Sequence, residues 1–217
     1  MRRFALAGLL LLVAAGCAKE GDGLGGPVAP ATPERATAPI AAMWRSQFEA
    51  HQAQWAAEIA GPDSPLPEDK RAGYDGLRFY AFDPEWRFVG DLERLRPPRG
   101  VDLRDNRGKM QVNVEYGRIG LVARGDTAWL TVYRPVDHPE QYFIPFRDST
   151  SEGETYGGGR FVHLDSLDTH RFVLDFNKSY NPYCAYDTTW VCPLPPSQNT
   201  LPFAVRAGMM APAEGAH

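Results

Sequence analysis

Apolar residues in this chain keep two different periods. Trp44, Phe48, His51, Trp55 and Ile59 recur at steps of three and four, which puts them on one stripe of a helix. The spacing predicts a helix from about Ala41 to Ala60, ended by Gly61-Pro62. Pro65, Pro67, Glu68 and Asp69 predict a turn and one short helical turn, with Pro67 suited to its start. After Gly73 the period falls to two. Leu77, Phe79 and Ala81 alternate with Arg78, Tyr80 and Phe82; Trp86 to Leu92 and Met110 to Val114 alternate likewise. Gly120 to Ala123 and Thr127 to Tyr133 flank Arg124-Gly125-Asp126, a hairpin turn by composition. Gln141 to Phe146, Arg160 to Leu164, Arg171 to Phe176 and Leu201 to Ala207 add further strands. The expected fold is mainly β: an antiparallel β-sandwich or partly open β-barrel of about eight to ten short strands, with the N-terminal helix packed on it.

The chain before the helix has a different character. Arg2 and Arg3 precede an uncharged apolar run from Phe4 to Ala15, and small residues lead into Cys17. That is the layout of a secretory signal over residues 1–16. The run is shorter than the roughly 20 apolar residues a membrane-spanning helix needs. Val13-Ala14-Ala15-Gly16-Cys17 resembles the bacterial lipobox, with Ala14 in place of the usual Leu. The resemblance implies lipidation of Cys17, a palmitate-bearing membrane anchor and a place in the cell envelope. Ala18 after it, by the same resemblance, favours an outer-membrane destination facing the periplasm in a diderm host. A plain secretory signal containing a cysteine is the alternative. Residues 17–40 are rich in Gly, Ala and Pro and are expected to form a flexible linker spanning about 25 Å, and about 70 Å fully extended. The domain is expected over residues 41–208, with a fraying tail over 209–217.

Charge and cysteine content narrow the partners. The formal charge of −4 becomes −6 once Arg2 and Arg3 leave with the leader. That argues against nucleic acid, whose binding depends on basic contacts with phosphate. With Cys17 assigned to lipid, Cys184 and Cys192 remain, an even pair expected to form a disulfide in an oxidising compartment. Closing that short loop is worth roughly 2.5 kcal/mol. Two ligands of a metal site, or a reactive thiol pair, are the alternatives. No metal-ligand or paired-His spacing stands out, His138, His163 and His170 are scattered, and no cofactor motif is present. The partners expected are the membrane, through Cys17, and a small ligand or an envelope protein.

Two segments, 145–160 and 175–199, are too polar and too rich in Gly, Pro and Asn for ordinary strands and turns. Their motifs are Thr155-Tyr156-Gly157-Gly158-Gly159-Arg160, Asp175-Phe176-Asn177 with Tyr180-Asn181-Pro182, Cys184-Ala185-Tyr186, and Cys192-Pro193-Leu194-Pro195-Pro196 with Asn199. Through them the chain resembles the bacterial and archaeal "domain of unknown function 1684" family, from the Trp44 helix to Gly208 and most specifically after residue 140. The resemblance implies no reaction, so the chemistry rests on residue types. Asp148, Tyr156, Arg160, Asp175, Asn177, Tyr180, Asn181, Tyr186 and Asn199 are the candidate ligand-binding set. Arg160 suits an anionic group, Asp175 an acid, base or ligand, and the Asn and Tyr side chains hydrogen bonding. The competing reading is that these groups satisfy buried backbone in a turn-rich region. Gly157-Gly158-Gly159 offers a close approach to phosphate but precedes a strand, without a helix dipole behind it. The expectation is a binding domain without catalysis. A hydrolase using Asp148 or Asp175 with Arg160, and an architectural component of an envelope assembly, are the alternatives.

Overall fold

The computed structural model describes residues 28–168 and 170–213. The leader, Cys17 and residues 18–27 of the expected linker lie outside the described residues. Helix α1 runs Ala38–Ala60, three residues earlier than its apolar stripe predicts, because Thr37 and Pro39 make a ready first turn. The Gly61 amide closes on the Glu58 carbonyl and ends it (3.1 Å). Helix α2, Glu68–Arg71, is the short turn opened by Pro67.

Seven strands follow: β1 (Arg87–Asp91), β2 (Glu93–Arg104), β3 (Met110–Ala123), β4 (Asp126–Pro135), β5 (Phe143–Phe146), β6 (Arg160–Ser166) and β7 (Arg171–Asp175). They form one antiparallel sheet in the order β1-β7-β6-β5-β4-β3-β2. β1 and β2 are consecutive in the chain yet lie at opposite edges. Only Leu92 separates them, so the sheet must roll until its edges nearly meet. The partly open barrel is thus the arrangement observed, curled into a half-barrel. The predicted turn at Arg124-Gly125 is formed, with φ of 54° and 91° at its two residues. Both lie in the left-handed region, as a two-residue hairpin requires.

Two expected strands do not join the sheet. Residues 77–82 make only an isolated bridge, Phe79 with Met209. Residues 201–207 make no ladder, although Leu201, Phe203, Val205 and Ala207 are all buried at alternate positions. This segment fills the concave face of the half-barrel, packing on Trp86, Phe88, Ile119, Leu121, Leu130, Ile144, Val162 and Leu174. Period-two burial reports one-sided packing and says nothing of who pairs with the backbone. Conversely, β2 was not expected, because Pro97 and Pro98 interrupt it; an edge strand tolerates them.

Both ends of the domain extend past the expected limits. Ala31 is buried; its amide donates to the Gly120 carbonyl (2.9 Å) and its carbonyl accepts from Val122 (2.7 Å), while the Glu34 amide donates to Arg87 (2.8 Å). Residues 28–37 are therefore a strap docked on the sheet, and the expected linker does not run to residue 40. The small side chains that suggested a linker are what let the strap lie flat: a Cβ on Gly90 would stand 2.7 Å from that of Ala31. At the other end Met209 is buried, and the Met209, Met210 and Ala211 amides are bonded to Ser179, Arg78 and Glu154. The fraying expected from residue 209 does not start there.

Candidate functional site

The outward face of the sheet carries the other half of each strand's alternation. On β6, Val162 and Leu164 face the concave core, whereas Phe161, His163 and Asp165 line a groove. The groove holds about 730 Å³. One wall is α1, whose His51, Gln54, Trp55 and Glu58 sit one turn apart in pairs; the other is the segment from Lys178 to Pro193. Beyond Gln141, His163, Tyr180 and Pro193 it continues into a second lobe of about 470 Å³, lined by Val112, Val136 and Phe143 together with Gln111, Asn113 and Asp137.

Four aromatic side chains dominate the main lobe. Trp55 lies 5.2 Å from Tyr180 and 6.4 Å from Tyr183, and Tyr183 lies 5.0 Å from Trp190. Trp190 is 40% exposed and is held by its indole N–H, which donates to the Pro65 carbonyl (2.9 Å). Polar groups are spaced between the rings. Tyr180 Oη is 2.8 Å from His163 Nε2 and the two rings stack; His163 Nδ1 is 3.3 Å from the Tyr142 carbonyl oxygen. With Nδ1 donating to that carbonyl, Nε2 accepts from the phenol. Lys178 Nζ contacts Asp165 Oδ2 at 3.3 Å, and the Tyr183 hydroxyl donates to Glu58. Burial, with the Lys178 ammonium second, pushes the pKa of His51 down to about 4. Burial lowers that of His163 as well, against the Tyr142 carbonyl and the Asp165 carboxylate, which raise it, so both imidazoles are neutral at pH 7.

Of the candidate ligand-binding residues, only Tyr180 lines this groove. Arg160 is 1% exposed. Its guanidinium donates to the carbonyls of Val205 (2.8 Å), Ala207 (2.6 Å) and Met209 (3.0 Å) and to Asp148 Oδ2 (2.7 Å). It takes alternate carbonyls of the core-filling segment, as a neighbouring strand would. Asp148 Oδ1 accepts from the Thr150 amide (2.6 Å). Asp175 Oδ1 accepts from both the amide (3.0 Å) and the side-chain nitrogen (2.9 Å) of Asn177, and burial raises its pKa. Asn177 also exchanges bonds with the Asp83 backbone. Asn199 accepts from the Thr131 amide and donates to Thr131 and Pro145. Asn181 donates to Met210 (2.8 Å). Tyr186 is buried against Met209 Sδ, and Tyr156 lies behind the groove with its hydroxyl 3.4 Å from the Cys184 carbonyl.

Asp148, Arg160, Asp175, Asn177, Asn181 and Asn199 bond backbone, which corrects the pocket expected from them. It also removes the basis of a hydrolase built on Asp148, Asp175 and Arg160. Gly159, at φ 93°, makes room for the Phe146 carbonyl, 2.7 Å from where a Cβ would sit, not for a phosphate. The expected Cys184–Cys192 bridge is corrected too. Both are buried free thiols, side by side, with the Cys184 amide donating to Cys192 Sγ at 3.3 Å. The groove residues that sequence reasoning missed were hidden by their own helix stripe: Trp55 reads as core, and the sequence offers no cue that Trp190 approaches it.

Comparison with known proteins agrees with this fold. No curated protein sequence matches the chain. The solution NMR structure of an uncharacterised protein from Haloarcula marismortui is similar to it at 30% identity, with a TM-score of 0.64, over 83% of this chain and 100% of that one. The family described as "Protein of unknown function (DUF1684)" matches residues 72–210, a stretch holding the whole sheet, the buried polar network and most of the groove. The chain belongs to that family.

Proposed function

We propose that this protein is a lipid-anchored envelope protein that binds a saccharide or glycan in the groove between α1, β6 and residues 178–193, without transforming it. The observation that carries the reading is the alternation of flat aromatic surfaces and hydrogen-bonding groups in one open groove. A sugar ring has a C–H face and a rim of hydroxyls. Tyr180, Tyr183 and Trp190 offer the faces, backed by the buried Trp55, and Gln54, Gln141, Asp165 and Lys178 the rim contacts; a mostly aromatic pocket with a few placed polar groups is the usual form of a small-ligand site. The absence of catalysis rests on engagement: both nitrogens of His163, Asp165 and Glu58 already have partners in the groove. The anchor rests on the lipobox-like Val13 to Cys17, and several acyl chains on Cys17 would hold firmly.

The test is titration of the full chain with a panel of oligosaccharides, followed by tryptophan fluorescence. A binding saccharide is expected to shift the emission, and Trp190→Ala to weaken it by about tenfold, the order of one aromatic contact. Turnover of ester, glycoside or phosphate substrates, or a panel that leaves the emission unchanged, overturns the reading. For the anchor, palmitate labelling of cells is expected to mark the wild type and to vanish in Cys17→Ala.

A further inference from the structure

The two thiols beneath the groove go beyond ligand binding. Cys192 lines the groove floor, while Cys184 lies behind it, packed with Phe161 and Tyr156. Cys192 borders the groove at 8% exposure, and Cys184, at 3%, lies against Cys192 and does not line the groove. The backbone around them needs no crosslink to stay in place. Asn106, in the β2–β3 turn, accepts from the Cys192 amide (3.0 Å) and donates to the Cys192 carbonyl (3.1 Å) and the Trp190 carbonyl (2.9 Å). The Leu194 amide donates to Arg104 (2.7 Å) and the Ala185 amide to Pro182 (2.9 Å). A bond between the sulfurs can therefore open and close on a frame that other contacts hold.

We propose that Cys192 and Cys184 form a thiol–disulfide exchange site at the groove floor, with Cys192 as attacking thiolate and Cys184 as resolving thiol. The partner is a disulfide carried by a small molecule or peptide that enters the groove. In the first step the Cys192 thiolate attacks one sulfur of that disulfide. The partner's S–S bond breaks, a mixed disulfide forms on Cys192, and one partner thiolate leaves and is protonated. In the second step Cys184 attacks Cys192 Sγ and its proton passes to the departing partner sulfur. The Cys184–Cys192 disulfide forms and the second partner thiol leaves, so two protein thiols are oxidised and one disulfide is reduced. The local field assigns the roles. The Cys184 thiol and amide both donate toward Cys192 Sγ, which holds its pKa below the ordinary thiol value; the same hydrogen bond, then burial, push Cys184 up. The thiolate is the nucleophile in such exchange.

The full chain, reduced and desalted, is treated at pH 7 with iodoacetamide, and each cysteine is followed by mass spectrometry. Cys192 is expected to alkylate about tenfold faster than in the urea-unfolded chain, in line with a larger thiolate fraction, and Cys184 more slowly. Glutathione disulfide is then the probe. Cys184→Ser is expected to trap one glutathione on Cys192, Cys192→Ser to trap none on Cys184, and the wild type to release two glutathione molecules and end with the internal disulfide. The alkylation ratio is read on wild-type protein, so it stands even where a variant folds poorly. A Cys192 no more reactive than in urea, equal trapping on both cysteines, or a native disulfide that resists dithiothreitol while the unfolded one yields to it, each overturns the proposal. None of these outcomes bears on saccharide binding, so the two readings fail separately.

Discussion

Arg160 shows how a charged residue can be spent on the fold. It sits at 1% exposure with one carboxylate and three main-chain carbonyls around it. Arg160→Met would leave Asp148 as a buried charge without its counter-ion and three carbonyls without donors. Breaking such a pair from one side costs about 3–5 kcal/mol, and urea unfolding is expected to show a loss of that order. Asp148→Asn, which keeps the shape and removes the charge, is expected to recover part of it in the double variant. The sequence marked Asp148, Arg160, Asp175, Asn177, Asn181 and Asn199 as unusual, and they are. Residue type cannot say whether a polar side chain turns toward a ligand or toward a carbonyl 45 residues away in sequence; that depends on where the 201–210 segment returns. Tyr180 was marked as a candidate because it stands among the same motifs, while His51 and Trp55 were legible only as part of a helix stripe and nothing in the sequence pointed to Trp190.

At the scale of elements, α1 does two jobs. Its Trp44, Phe48, Trp55 and Ile59 are buried, and its His51 and Glu58 edge the groove. His51 gives the helix a pH signature. Its pKa is about 4 in the fold against 6.5 in the unfolded chain, so the unfolded chain takes up the proton first. Stability therefore falls as pH drops from about 6.5 towards 4. Because the ring is only half-buried and faces Lys178, Asp165 and His163, the expected loss is about 1–2 kcal/mol. Denaturant unfolding at pH 7 and pH 4.5 checks it, with His51→Gln expected to flatten the difference. Helix α1 and the β3–β4 hairpin were legible because period and turn chemistry are local. The 201–207 segment was misread because its alternation is real but its hydrogen bonds go to Arg147 and Ser149, just past the end of β5, and to the Arg160 guanidinium, rather than to a strand of the sheet. β2 was missed because two prolines read as a break when nothing local announces an edge.

At the scale of the molecule, the fold is a rolled sheet stoppered by its own C-terminal segment. Leu201, Phe203, Val205, Ala207 and Met209 are all buried. Each large apolar side chain so placed contributes about 1.5–3 kcal/mol, and a domain's net stability is about 5–15 kcal/mol. A chain ended at Thr200 is therefore expected to lose its fixed packing. Near-ultraviolet circular dichroism should collapse, and a dye that binds exposed apolar surface should light up.

The strap at residues 28–37 carries a consequence for range. Its bonds from Ala31 to Gly120 and Val122 moor the chain to the barrel well before the helix begins. In the lipid-anchored reading only residues 18–30 then separate the acylated Cys17 from the mooring at Ala31. Thirteen residues reach at most about 45 Å, about two thirds of the reach that an unmoored linker would give. On that reading the working radius of the groove is correspondingly short, and the molecules it would meet are those in the layer next to the bilayer.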